Sequence, residues 1–224
     1  MARWNWERLA ASSGILFVVL FIVGFFIPGK PPSMSAGNTT WVHYILGNSR
    51  EIKVGSILLG LALITFVWFA GSLAARLRDA GEPGLAAIAF GGAVVTAAVF
   101  AIGIAVQAAV AYRIASERPT LVKSFIELMT VALTIIRFPV AMTMSATAIA
   151  ALRAGVFPQW YAPLSGLAAL VVLVGAGALG QKGFYSPDGG YTTISLIAFL
   201  AWTLVTSGWL ASRMGTERAP AATP

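Results

Sequence analysis

Long apolar runs, broken at intervals by short polar segments, set the layout of this chain. The first run covers about residues 9–27, Leu9 to Ile27, and stops at Pro28-Gly29. Further runs follow at about 54–77, 85–112, 125–152, 161–179 and 193–212. Each is close to the roughly 20 apolar residues that a bilayer crossing requires. The runs are continuous rather than alternating, so they predict helices and not barrel strands. The expected fold is all-α, a polytopic transmembrane bundle of six helices within residues 1–213, with a disordered tail at 214–224. Six crossings place both termini on one side.

Residues 28–53 form the longest connection. KPPSMSAGN is rich in turn formers, and Thr40 to Leu46 predicts a short interfacial helix with Trp41 and Tyr44 at headgroup level. Arg3, Trp4, Trp6 and Arg8 make a basic, aromatic collar before the first run. That run is longer than the apolar core of a signal peptide, and the small residues near Ala36 make a poor cleavage site, so a retained first span is expected. Asn38-Thr39-Thr40 matches a glycosylation tripeptide, which chance also supplies.

Composition agrees with the pattern. Of 224 residues, 58% are hydrophobic and 10% charged, and the mean hydropathy is +0.83. A soluble domain carries about a quarter charged residues. With no cysteine, disulfides, thiolate nucleophiles and iron–sulfur clusters are excluded. A single histidine, His43, lies outside the runs, so one chain cannot build a bis-histidine haem or a multi-histidine zinc site. No cofactor is implied. The net charge of +7 does not indicate nucleic acid, because the basic residues sit singly at span ends. Membrane lipids with anionic headgroups are the expected partners.

With the termini inside, Arg3, Arg8, Arg76, Arg78, Arg153, Arg213 and Arg218 face one side, and Lys30, Arg50, Lys53, Arg113, Arg118, Lys123 and Lys182 the other. The totals balance, and the arginines hard against the span ends favour cytoplasmic termini. Leu77-Arg78-Asp79-Ala80-Gly81-Glu82-Pro83 and Leu152-Arg153-Ala154-Gly155-Val156-Phe157-Pro158 share a stop pattern: arginine in the last turn, then glycine, then proline. Their likeness hints at an internal repeat in one orientation.

Arg137 is the chemically unusual residue. It lies near the middle of the 125–152 run, two residues before Pro139. A central arginine costs roughly 2.5–3.5 kcal/mol on insertion scales and needs a partner, a wet cavity or a route to the interface. At about 100° per residue, Glu127, Thr130, Thr134 and Arg137 fall within about 80° on one face. On the preceding run Gly92, Thr96, Gly103 and Gln107 fall within about 60°. Thr65, Trp68 and Ser72 share a face of the second run, and Ser195, Trp202, Thr206 and Trp209 one of the sixth. Besides snorkelling of Arg137 to the interface around a short or tilted span, two arrangements follow. In one, Arg137 is the floor of a cavity open to the outer side, lined by Thr134, Thr130, Glu127, Gln107, Thr96, Trp68 and Trp202, and takes an anionic or amphipathic molecule. In the other, Arg137 bonds to carbonyls, Trp68 or threonines and locks the bundle. Glu127 cannot pair with it directly, since ten residues of helix separate them by about 15 Å. Pro139 frees the carbonyl of Ile135 and kinks the helix there.

No motif of a serine hydrolase, zinc protease or P-loop enzyme is present, and no lysine lies within a span to carry retinal. Phe25-Phe26-Ile27-Pro28-Gly29 with Pro31-Pro32, then Tyr44 to Arg50 (YILGNSR), Val54 to Gly60 (VGSILLG) and Leu152 to Pro158 form a pattern spread along the chain. It resembles a family of uncharacterised six-helix integral membrane proteins of GC-rich bacteria, carried as a domain of unknown function. The resemblance covers residues 9 to about 213. It implies a bacterial plasma membrane and six crossings, and it brings no functional residue. The function expected is binding or transport of an anionic or amphipathic molecule or lipid at Arg137. The alternative is a non-catalytic accessory subunit that binds another membrane protein.

Overall fold

The computed structural model describes residues 2–180 and 183–213, with side chains from Ala10 onward. The collar side chains of Arg3, Trp4, Trp6 and Arg8, together with Lys182, Arg218 and the tail beyond Arg213, lie outside the described residues. The described residues are helices and turns, with no strand among them. In order they are α1 (Ala2–Phe26), α2 (Asn38–Gly47), α3 (Ser49–Asp79) and α4 (Pro83–Ala109). A π-helical turn (Val110–Ile114) and one α turn, α5 (Ala115–Glu117), extend α4. After a 3-10 turn (Pro119–Leu121) come α6 (Val122–Ile135), α7 (Arg137–Ala154), α8 (Tyr161–Gly175) and α9 (Gly190–Arg213).

Four stretches are long and apolar enough to cross a membrane: Ser49–Asp79, Pro83–Glu117, Pro119–Ala154 and Gly190–Arg213. This is a membrane protein. Ala10–Phe26 and Tyr161–Gly175 are apolar but shorter.

The long helices form a ring in chain order, each packed antiparallel on the next. Gly24 of α1 meets Gly55 of α3. On the next pair, Gly92 of α4 meets Pro139 and Thr143 of α7. Tyr161 of α8 bonds to Thr206 of α9 at 2.7 Å. The ring closes where Ser207 of α9 donates to the Ala11 carbonyl of α1 at 2.5 Å. This contact puts the start of α1 and the end of α9 at the same end of the bundle. Phe17, Phe66 and Phe199 fill the interior in tilted and edge-on contacts, an arrangement aromatic quadrupoles favour.

The stop patterns behave as their residues dictate. Gly81 and Gly155 sit at φ +86° and +61°, the left-handed conformation that ends a helix without a Cβ penalty. Arg153 then pairs with Glu82 at 2.9 Å, joining the two stops at one end of the bundle.

At the opposite end α2 caps the structure. It runs two residues further at the N-terminus than the expected Thr40 start, and α3 begins at Ser49 rather than 54. Trp41 packs against protein. It is 5% exposed and packs with Ile45, Ile52, Val110, Val122 and Ile126, because α2 lies over the ends of α3, α4 and α6. Asn38 ties the cap down: its Nδ2 donates to the Pro119 carbonyl at 2.9 Å, and its Oδ1 accepts from the Lys123 N–H at 3.0 Å. The tie satisfies one of the donors left open at the start of α6.

Candidate functional site around Arg137

The 125–152 run is not one straight helix. It breaks at Ile136, between α6 and α7, where Pro139 cannot supply the N–H that the Ile135 carbonyl would accept. Arg137 is therefore the first residue of α7. Its side chain turns toward α8 and α9 and is 8% exposed. Nη1 donates to the Gly175 carbonyl at 2.5 Å. Gly175 is the last residue of α8, so the guanidinium sits at the negative end of that helix.

Glycine is required there. A Cβ on Gly175 would fall against Ser195 Oγ, and 3.1 Å from Arg137 Cδ. Ser195 and Tyr191 of α9 complete the surroundings: the Tyr191 hydroxyl donates to the Val171 carbonyl at 3.1 Å, and Ser195 Oγ donates to the same carbonyl at 3.5 Å. Among the described residues Arg137 has no carboxylate partner and makes one hydrogen bond. A guanidinium carries five donors.

α8 explains the depth of this site. Its 15 residues span about 22 Å, against the roughly 30 Å of a hydrocarbon core. The helix ends at Gly175, four residues before the expected end of this span. The connection to α9 closes on itself instead, with Gly180 N–H bonded to the Tyr185 carbonyl and Tyr191 N–H to the Phe184 carbonyl, both at 3.1 Å. Such internal bonding is what non-helical backbone needs at membrane depth. This connection meets the 28–37 loop, where Met34 N–H donates to Asp188 Oδ2 at 3.0 Å. Asp188 also accepts from Ser186 Oγ at 2.8 Å. These two bonds, the Ser186 one foremost, hold its carboxyl below the usual range.

The expected site residues separate into groups. Thr134 is buried on the face that carries Arg137, and its hydroxyl donates to the Thr130 carbonyl at 2.9 Å. Thr130 donates to the Ile126 carbonyl at 2.8 Å and touches Met34 Sδ at 3.7 Å, so the loop lies on the stripe. Glu127 is exposed and stands 3.9 Å from Lys123. Thr96 is buried and bonded to its own helix at Gly92, while Gln107 is half-buried. Trp202 is buried, donating to Ser165 Oγ. Trp68 is 46% exposed on the outer flank of α3. Two grooves on the flanks of the bundle, one between α7 and α8 and one between α3 and α4, contain none of these residues.

No protein-family model, curated protein or solved structure matches this chain. The resemblance to six-helix bacterial proteins therefore rests on its motifs alone. Gly175, which the sequence reading did not single out, supplies the carbonyl that Arg137 bonds. The run Gly175-Ala176-Gly177-Ala178-Leu179-Gly180 carried the available sign, since glycine at every second or third position ends a helix early.

Proposed function

We propose that this chain crosses a bacterial plasma membrane six times, with both termini cytoplasmic, and binds the anionic group of a small amphipathic molecule or lipid at Arg137. The observation that carries the reading is the state of the guanidinium: buried inside an apolar stretch, with one of five donors engaged and no carboxylate partner among the described residues. An uncompensated buried charge is costly, and an anion between α7, α8 and α9 supplies the missing counter-charge. Access is from the end capped by the 28–37 loop and the α8–α9 connection.

The test compares dodecanoate with dodecanol by thermal shift in neutral detergent, using the wild type and Arg137→Gln. Dodecanoate should raise the midpoint of the wild type alone, and dodecanol should raise neither. An equal response of both proteins to dodecanoate would refute the reading.

A second reading, a non-catalytic accessory subunit, is favoured by the groove of about 570 Å³ between α7 and α8. Its lining of Ser145, Ala148, Ala162 and Gly166 suits close approach of a neighbouring helix.

A further inference from the structure

The second groove runs between α3 and α4 on the flank away from Arg137, with a volume of about 620 Å³. Gly60, Ala101, Ala105 and Ala108 form its floor, and Lys53 and Tyr112 stand at one end. Along α3, Lys53 to Leu63 spans about 15 Å. The groove is therefore apolar over most of its length and cationic at its mouth.

Two observations single out that mouth. The helix of α4 gives way there to the π-helical turn Val110–Ile114, a distortion that tends to occur where helices carry function. Tyr112 belongs to this turn and is 73% exposed. Arg113, beside it, is engaged by Glu117. Lys53, by contrast, is in no ion pair among the described residues. A compact ammonium beside a phenol hydroxyl, above an apolar channel, suits a phosphate whose acyl chain continues into the channel.

We propose that the α3–α4 groove is a binding site for one anionic phospholipid, with its phosphate at Lys53 and Tyr112 and one acyl chain along Gly60, Ala101, Ala105 and Ala108. The site is independent of Arg137. The helix pair remains packed beneath the lipid, and the small floor residues make room for the chain.

The chain has no cysteine, so Ala101→Cys carries a single bimane fluorophore at the inner end of the groove. The protein is reconstituted in phosphatidylcholine vesicles containing a small fraction of dibrominated phosphatidylglycerol or dibrominated phosphatidylcholine, and quenching is compared. Phosphatidylglycerol should be preferred by about fivefold, the worth of one lysine at a membrane surface. Lys53→Gln should abolish that preference. Gly60→Leu should reduce quenching by either lipid, and it should fold, because a Cβ at Gly60 meets nothing within 4 Å. Equal quenching by the two lipids in the parent protein would overturn the proposal. So would a preference that survives Lys53→Gln, or low quenching by both lipids together with self-association, which would put a protein helix in the groove.

Discussion

Arg137 of α7 donates to the carbonyl of Gly175, the residue on which α8 ends, at 2.5 Å. One helix thus begins by closing the end of its neighbour, and the contact exists because Gly175 has no side chain. Gly175→Ala should drive Ser195 and the Arg137 side chain apart. The expected loss is about 1–3 kcal/mol from overpacking, or roughly 3–10 °C in unfolding midpoint for a chain of this size. Gly166→Ala on the same helix has open space around it and should leave the midpoint unchanged in the same detergent scan.

Neighbouring glycines on α4 make a sharper contrast. A Cβ on Gly92 would lie 2.8 Å from the Pro139 carbonyl oxygen, which belongs to backbone and cannot turn aside, whereas Gly91 has nothing within 4 Å. Gly92→Ala should push α7 away from α4 and lower the midpoint by several degrees, on the same overpacking scale of about 1–3 kcal/mol. Gly91→Ala should be neutral or slightly stabilising, since alanine is the better helix former. Equal midpoints for the two variants would show that α4 and α7 do not meet at Gly92.

The tie between Met34 and Asp188 predicts a response to acid. The Asp188 carboxyl is held below its ordinary value by the Ser186 and Met34 donors. Its stabilising contribution is therefore complete above the unfolded-state value near 4 and is lost as pH falls through the lower folded-state value. Between pH 6 and pH 3 the wild type should lose more thermal stability than Asp188→Asn, which lacks the charge throughout. Parallel curves for the two proteins would remove Asp188 from the account of the cap.

Two buried tryptophans should respond unequally to loss of the indole N–H. Trp202 donates to Ser165, so Trp202→Phe leaves a buried hydroxyl short of a partner and should cost about 1–3 kcal/mol. Trp41 Nε1 is buried with no partner among the described residues. Trp41→Phe removes that desolvated donor, which offsets the lost ring volume, and should change the midpoint by less than Trp202→Phe does. Thermal scans of the two single variants decide the order.

The same two positions, with Trp68, show what the sequence could and could not convey. Helix placement was legible within a few residues for α3, α4 and α9, because each is a continuous apolar run bounded by charges. The direction each side chain faces was not. In a soluble helix, polar residues mark the outside. In a bilayer the outside is as apolar as the core, so periodicity carries little information about facing. Trp68 was expected to line a pocket and lies on the outer flank, while Trp41, expected at headgroup level in an interfacial helix, packs inside the protein. The Arg137 environment was legible only in part. Pro139 announced the break beside it, while of the Glu127–Thr130–Thr134–Arg137 stripe Thr134 and Arg137 are buried and Glu127 is exposed. Its carbonyl partner depends on where α8 stops, and a glycine-rich apolar stretch leaves that open until the neighbouring helices are placed.

The closure of the ring between Ala11 and Ser207 has a consequence for how the protein is made. α1 emerges from the ribosome before α9, yet Gly14 is shaped to receive both Phe69 of α3 and Ser207 of α9. Half of that seat is filled once α3 has been made and half only after α9 follows. Until then the flank of α1 that will meet α9 stays open to lipid. The nascent bundle is thus an open arc of helices, and it closes only when α9 reaches back to α1.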